Sequence, residues 1–377
     1  MHRKQSLILF ILVFTARALA GNDDYAERLL TIREKFAPDE RFSVFTVKIK
    51  TASEALIAAG DVDNPDARTA ILNMLKENGR LRVIDEIQVL PEASLGKKIY
   101  GITTLSVGNV RKRPDNKSEM LTQVLSGTVI RLLKDGGYFW QIKMPDGYIG
   151  WINRLSFVQA DSAAVLEWSN APKVIVTDHY GMLYRQPEKK SEPVCDVVTG
   201  CILKKIGTKE NWIEAGLADG RTGFLHNDIA EDIEPWQQSR RLTGDNIEKT
   251  ARTFLGIPYL WGGTSVKGFD CSGFVRTVFL LNGKILLRDA DQQAMMGRPV
   301  DPGTNFENLK KGDLIFFGKK TTSKKREHIK HVAIYLGSGT FIHSSGCVRL
   351  TSFDPSSPLY EETLFKQFVR ARRIIPD

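Results

Sequence analysis

Asp270-Cys271-Ser272-Gly273 is the stretch on which the reading of this chain turns. Gly256-Ile257-Pro258-Tyr259-Leu260-Trp261-Gly262-Gly263 precedes it, and an apolar run at helical spacing follows to Leu281, where Asn282-Gly283 gives a stop signal. The pattern sets Cys271 at or next to a helix N-terminus, behind a glycine-rich loop. Unpaired N–H groups and the positive end of the dipole favour an anion there, and the thiolate is the nucleophilic form of cysteine.

Such a cysteine needs a base and a group to orient that base. Lys330-His331-Val332-Ala333-Ile334-Tyr335-Leu336-Gly337 reads as a buried strand with His331 near its start, and Phe341-Ile342-His343-Ser344-Ser345 as a second, short one. Neighbouring antiparallel strands would bring the two imidazoles side by side. His331 would then take the proton of Cys271 while His343 fixes its tautomer. His328 lies close by but sits in a basic loop with no apolar strand directly after it, so it is not taken as the base. The backbone N–H of Cys271, with Tyr259 and Ser272 in the same cleft, is the candidate oxyanion site.

Five motifs in a fixed order resemble the NlpC family of bacterial cell-wall cysteine peptidases: Pro258-Tyr259-x-Trp261-Gly262-Gly263, Asp270-Cys271-Ser272-Gly273-Phe274, Arg288-Asp289-x-x-Gln292-Gln293, Lys311-Gly312-Asp313-Leu314-Ile315-Phe316-Phe317, and His331 to Gly337. The resemblance covers residues 240–377 and implies a papain-like α+β domain, with a helix bearing the nucleophile packed on a sheet bearing the histidines. It further implies that Asp289 grips the free amino group of an N-terminal L-Ala, with Arg288 orienting that acid or a substrate carboxylate. Ala290 stands where such relatives carry Ser, so a hydroxyl contact is missing or taken over by Asp291. By the same resemblance Glu119 and Tyr148 complete the amine pocket.

Upstream, a repeat runs at a constant offset of 73 residues, Gly181 against Gly108, Gly200 against Gly127 and Asp219-Gly220 against Asp146-Gly147. Short strands with Asp-Gly hairpin turns suit small β-barrels, and the pattern resembles bacterial SH3-like domains, expected at 101–160 and 165–236. Residues 21–100 read as mainly helical, through Tyr25–Lys35, Ala52–Ala59 and Asp66–Asn78. Residues 1–20 have a basic start, an apolar run from Leu7 to Phe14 and Ala18-Leu19-Ala20, the marks of a cleaved secretory signal; the alternative is an uncleaved anchor. The apolar run is short for a membrane span, so no stable membrane insertion is expected after cleavage, and the protein is expected in the periplasm, the cell envelope or outside the cell.

Hydrophobic and charged fractions of 42% and 26% are those of a globular protein, and 377 residues call for several domains. Loss of Arg3, Lys4 and Arg17 with the leader lowers the formal charge from +9 to +6. Without a basic stripe interleaved with aromatics this does not imply nucleic-acid binding. The basic run Lys319 to Arg326 is either a solvated loop or a rim for acidic peptides. With Cys271 reserved, Cys195 and Cys201 either close a small loop or stay thiols, and Cys347 fits strand or turn packing; no Cys/His spacing resembles a zinc site, and no cofactor is expected. The expected activity is hydrolysis of the γ-D-glutamyl-L-diamino-acid bond of murein stem peptides. The alternatives are an idle wall-binding protein and an amidase or acyltransferase on the same fold.

Overall fold

The computed structural model describes residues 24–376 apart from 53, 78, 80 and 322–326. The leader expected at 1–20 and most of the basic run ending at Arg326 lie outside the described residues. Contact density divides the chain into two compact units. One holds the described residues up to Ile99 with Arg131–Gly136 and Gln141–Ile149; the other holds Tyr100–Ile130, Gly137–Trp140 and Gly150–Asp377.

The first unit corrects the expectation of a mainly helical segment. Residues 24–36 are helical, as is Pro65–Lys76, capped by the Asn64 side chain. Between them, however, Ala52–Ala59 is not a helix: Ala55–Val62 is the middle strand of a three-stranded sheet, antiparallel to Lys48–Thr51 and parallel to Arg82–Val89. Alanine-rich composition favoured a helix, but burial there alternates, with Leu56, Ala58 and Val62 sealed from solvent. That period of two buries a strand face under Ile71, Met74 and Leu75 of the helix, and tertiary burial overrides local propensity.

The sequence repeat corresponds to two seven-stranded sheets. The first runs, strand by strand, Phe157–Ala160, Tyr100–Thr103, Val129–Gly136, Phe139–Lys143, Ile149–Asn153, Val107–Arg111, Met120–Leu125. Read from its other edge, the second runs Ala230–Asp232, Lys173–Val176, Ile202–Lys209, Trp212–Gly216, Thr222–His226, Tyr180–Tyr184, Pro193–Val198, which is the same order. The Asp-Gly turns of the repeat hold Gly147 and Gly220 at φ of 89° and 87°, a conformation open to glycine at little cost. All four cysteines are thiols, and the fully buried Cys201 donates to the Ser106 carbonyl at 3.3 Å.

The C-terminal part is α+β. Its sheet runs Arg298–Val300, Phe368–Arg373, Leu314–Lys319, His328–Gly337, Thr340–Ser345, Cys347–Ser352, all neighbours antiparallel. The helix Cys271–Leu280 lies on this sheet, with Phe274, Val275, Val278 and Phe279 in one apolar core with Val332, Ile334 and Ile342. Asp313, at the head of the Leu314 strand, is buried and takes a two-pronged contact from Arg373 at 2.6 and 2.7 Å. It is a structural counter-ion, joining the Lys310 turn, through its N–H at 2.8 Å, to the Phe368–Arg373 strand. Arg373→Met would leave that carboxylate buried without its cation. The urea midpoint should fall by the equivalent of about 3 kcal/mol at an unchanged slope.

Candidate active site

Asp270 builds the site. It is the N-cap of the Cys271 helix, and its Oδ1 accepts from Gly273 N at 2.7 Å. Its other oxygen accepts from Gly262 N at 3.0 Å, which ties the glycine-rich loop to the helix start. Arg288 closes the arrangement from behind, with Nη2 to Oδ2 at 2.5 Å and Nη1 to Oδ1 and to Ser272 Oγ at 3.2 and 3.0 Å. Only glycine fits at 273, because a Cβ there would stand 2.0 Å from the Gly263 carbonyl. Gln293, fully buried, donates Nε2 to Ser272 O at 3.1 Å and to Leu287 O at 2.9 Å.

Strands of the two repeated sheets brace the same loop. Gln123 Oε1 accepts from Thr264 N and Ser265 Oγ at 3.0 and 2.9 Å. Lys267 reaches Asp196 and Ser106, and Tyr180 donates to Val266 O. Gly262, at φ of 77°, leaves room for the Met120 carbonyl. Trp261 is 63% exposed, and its indole N–H donates to Glu119 at 3.0 Å.

The histidines meet across adjacent strands, with His331 Nε2 2.7 Å from His343 Nδ1 and the rings 80° apart. His343 is fully buried, and its Nε2 lies 3.0 Å from Thr351 Oγ1. With Nε2 of His331 committed to His343, Nδ1 is the nitrogen left to face a thiol.

Burial governs the charges. Cys271 is 8% exposed, and desolvation, seconded by the Asp270 carboxylate, pushes its thiol up to about 12. The N–H groups of Val332 and Ser272 and the Arg288 cation pull the other way and are outweighed. The helix N-terminus therefore does not by itself make the thiolate expected from the sequence. Desolvation lowers His331 to about 4 and His343 to about 2, in the latter case helped by the charges of His331 and Arg349. Burial thus favours the neutral form of both the thiol and the imidazole. Proton transfer between them makes two opposite charges at once, each offsetting the cost of the other.

The other expected residues are distributed as follows. Tyr259 is half-buried, its N–H donates to Gly346 O at 2.9 Å, and its phenol is raised to about 12 by burial and then by Cys271. Asp289 and Ala290 are half-buried at the start of the short helix Ala290–Gln293, where Asp289 N donates to Gln292 Oε1 at 3.0 Å. Arg288, expected to orient Asp289 or a substrate carboxylate, is 2% exposed, and its guanidinium is committed to Asp270 and Ser272; the side chain is architectural. Glu119 is exposed and holds the Trp261 indole. Tyr148 belongs to the first compact unit, where its ring is 3% exposed and packs edge-on to Phe42. Sequence reasoning passed over Thr351 and Arg349. Their signal was the tight turn at Gly346, which pairs His343 with Arg349 and sets Thr351 on the same face.

Residues 256–373 match the NlpC/P60 family and residues 106–156 the bacterial SH3 domain. A γ-D-glutamyl-L-lysine dipeptidyl-peptidase of Bacillus cereus is 29% identical over 270 residues, covering 69% of this chain and 77% of that protein. A probable endopeptidase NlpC homolog of Haemophilus influenzae is 32% identical over 159 residues, 42% of this chain and 74% of the relative. The crystal structure of an NlpC/P60 family protein from Bacillus cereus superposes with a TM-score of 0.61 at 24% identity, over 74% of this chain and 100% of that one, which is a likeness of fold.

An imidazole that stays neutral down to about pH 4 can serve as a base through the mildly acid range. Hydrolysis followed against pH should therefore show kcat/KM holding through pH 5 and falling only as His331 gains its proton, well below the ordinary histidine range.

Proposed function

The chain belongs to the NlpC/P60 family, and on that footing we propose that it is an exported cysteine peptidase that removes the N-terminal dipeptide from murein stem peptides by cutting the γ-D-glutamyl–diamino-acid bond. The observations that carry this reading are the buried thiol of Cys271 at a helix start and, on the sheet packed against that helix, His331 with its Nε2 2.7 Å from His343 Nδ1.

The chemistry follows from that arrangement. Cys271 Sγ attacks the γ-carbonyl carbon of D-glutamate while its proton passes to His331 Nδ1. The developing oxyanion is met by the N–H of Cys271, unpaired in the first helical turn, with the Tyr259 hydroxyl beside it. Collapse breaks the C–N bond, and the imidazolium gives its proton to the leaving amine. Water, deprotonated by His331, then hydrolyses the thioester and restores the thiol. No step calls for a metal or cofactor.

Specificity for a free amine rests on Asp289. A half-buried carboxylate at the start of the short helix Ala290–Gln293 suits the ammonium of an N-terminal L-Ala through a charge-assisted hydrogen bond. The exposed face of Trp261, in the loop before Cys271 and held by Glu119, offers the peptide an apolar surface. Intact wall, in which that alanine is amide-linked, would be a poor substrate, so the role is trimming or recycling of freed peptides. Export is read from residues 1–20; among the described residues no helix is long and apolar enough to cross a membrane.

Mass-spectrometric digests of L-Ala-γ-D-Glu-diaminopimelate and of its N-acetylated form test the reading, with Cys271→Ala as control. The free peptide should be cut, the acetylated one spared, and the variant inert; equal cleavage of both peptides would remove the amine requirement. Asp289→Asn should raise KM for the free peptide by about 10–100-fold, the weight of one charge-assisted contact.

A further inference from the structure

The His331–His343 pair is the middle of a longer hydrogen-bonded chain. Beyond His343 Nε2 stands Thr351 Oγ1 at 3.0 Å, and that oxygen also accepts from Arg349 Nη1 at 3.3 Å. Arg349 in turn donates Nη2 to Glu361 at 2.6 Å and Nε to Ser345 O at 3.1 Å. His343 and Thr351 are sealed from solvent, so no water competes for either polar atom.

A guanidinium only donates, so Arg349 takes one lone pair of the Thr351 hydroxyl and can accept nothing from it. The chain can then run in two directions. In one, His331 Nε2–H donates to His343 Nδ1, and His343 Nε2–H donates to Thr351; Nδ1 of His331 keeps its lone pair. In the other, Thr351 donates to His343 Nε2, and His343 Nδ1–H donates to His331. His331 then carries its own hydrogen on Nδ1 and has no place for the proton of Cys271. Once His331 is charged, both of its nitrogens bear hydrogens, and only the first direction gives Nε2–H an acceptor.

The geometry points to Thr351 as a positioning residue: its hydroxyl, anchored by Arg349 and through it by Glu361, accepts the Nε2 hydrogen of His343 and so fixes His343 as the acceptor that orients His331. The inference rests on Cys271 and His331 as nucleophile and base, and not on the identity of the substrate. Besides each other, the charged and titratable groups acting on the two histidines are Asp270 from the helix start, Arg349 from the last hairpin strand and Glu361 ahead of the short helix Glu362–Gln367. The Arg349 cation also makes a charge on His343 costly, which keeps the transferred proton on His331.

Alkylation of Cys271 by iodoacetamide in the full chain, read by mass spectrometry of its own peptide across pH, tests this without any substrate. Thr351→Val should slow alkylation by about tenfold or more, and lower kcat on the stem peptide equally with KM unchanged, while Thr351→Ser stays within about threefold of the parent. Arg349→Met should move the acid limb of the alkylation profile to higher pH, because the histidines lose a repelling charge. Nitrogen-15 spectra of the histidines in the unaltered chain report the tautomer whether or not the valine variant folds. A hydrogen on His343 Nε2 supports the inference; a hydrogen on Nδ1 overturns it, as does a Thr351→Val protein that alkylates at the parent rate and pH. If the stem peptide is not cut at all while alkylation still depends on His331 and Thr351, the substrate assignment fails and this inference stands.

Discussion

A single carboxylate, that of Asp270, holds the reactive centre together. It is buried, caps the Cys271 helix, ties down Gly262 and meets a fully buried arginine. Two charges taken out of water repay that cost only when their geometry is good and the remaining lone pairs are filled, and here they are. Losing either partner would strand the other, at a cost of roughly 3–5 kcal/mol. The helix start, the loop and the Arg288 strap are thus set by one interaction, and the thiol inherits its position from it.

The same burial that fixes the thiol also sets its chemistry. A cysteine at a helix N-terminus is often read as a ready thiolate, yet desolvation and the Asp270 charge dominate at this one. His331 is equally disinclined to carry charge. Burial therefore disfavours a preformed ion pair, and on the proposed mechanism the proton moves as a substrate carbonyl takes up the sulfur. That places weight on the direction of the histidine hydrogen bonds, because a neutral imidazole serves as a base only in one tautomer.

Much of this was legible from residues alone. The helix start at Cys271, the two histidine strands and the repeat at 108 and 181 rest on strong local signals: a cap, a glycine stop, an apolar run and Asp-Gly turns. Ala52–Ala59 misled because short alanine-rich runs satisfy either period, and only the neighbouring strands decide. Arg288 misled for a different reason. A charged residue beside a motif reads as solvent-facing, and burial beside Asp270 is a long-range fact, 18 residues apart in sequence. Thr351 and Arg349 were missed because neither residue type is a usual catalytic group; they matter through the register of a hairpin, which a linear reading does not weigh.

The Met120–Leu125 strand carries Gln123, whose amide oxygen serves the N–H of Thr264 and the hydroxyl of Ser265, and whose neighbour Met120 lies over Gly262. Residues of the segment that matches the bacterial SH3 domain are in this way part of the framework of the loop before Cys271. The C-terminal domain is accordingly a poor candidate for transplantation. Excised at residue 240, it would keep Cys271, His331 and His343 yet lose Gln123, Asp196 and Tyr180, the partners that hold that loop in shape.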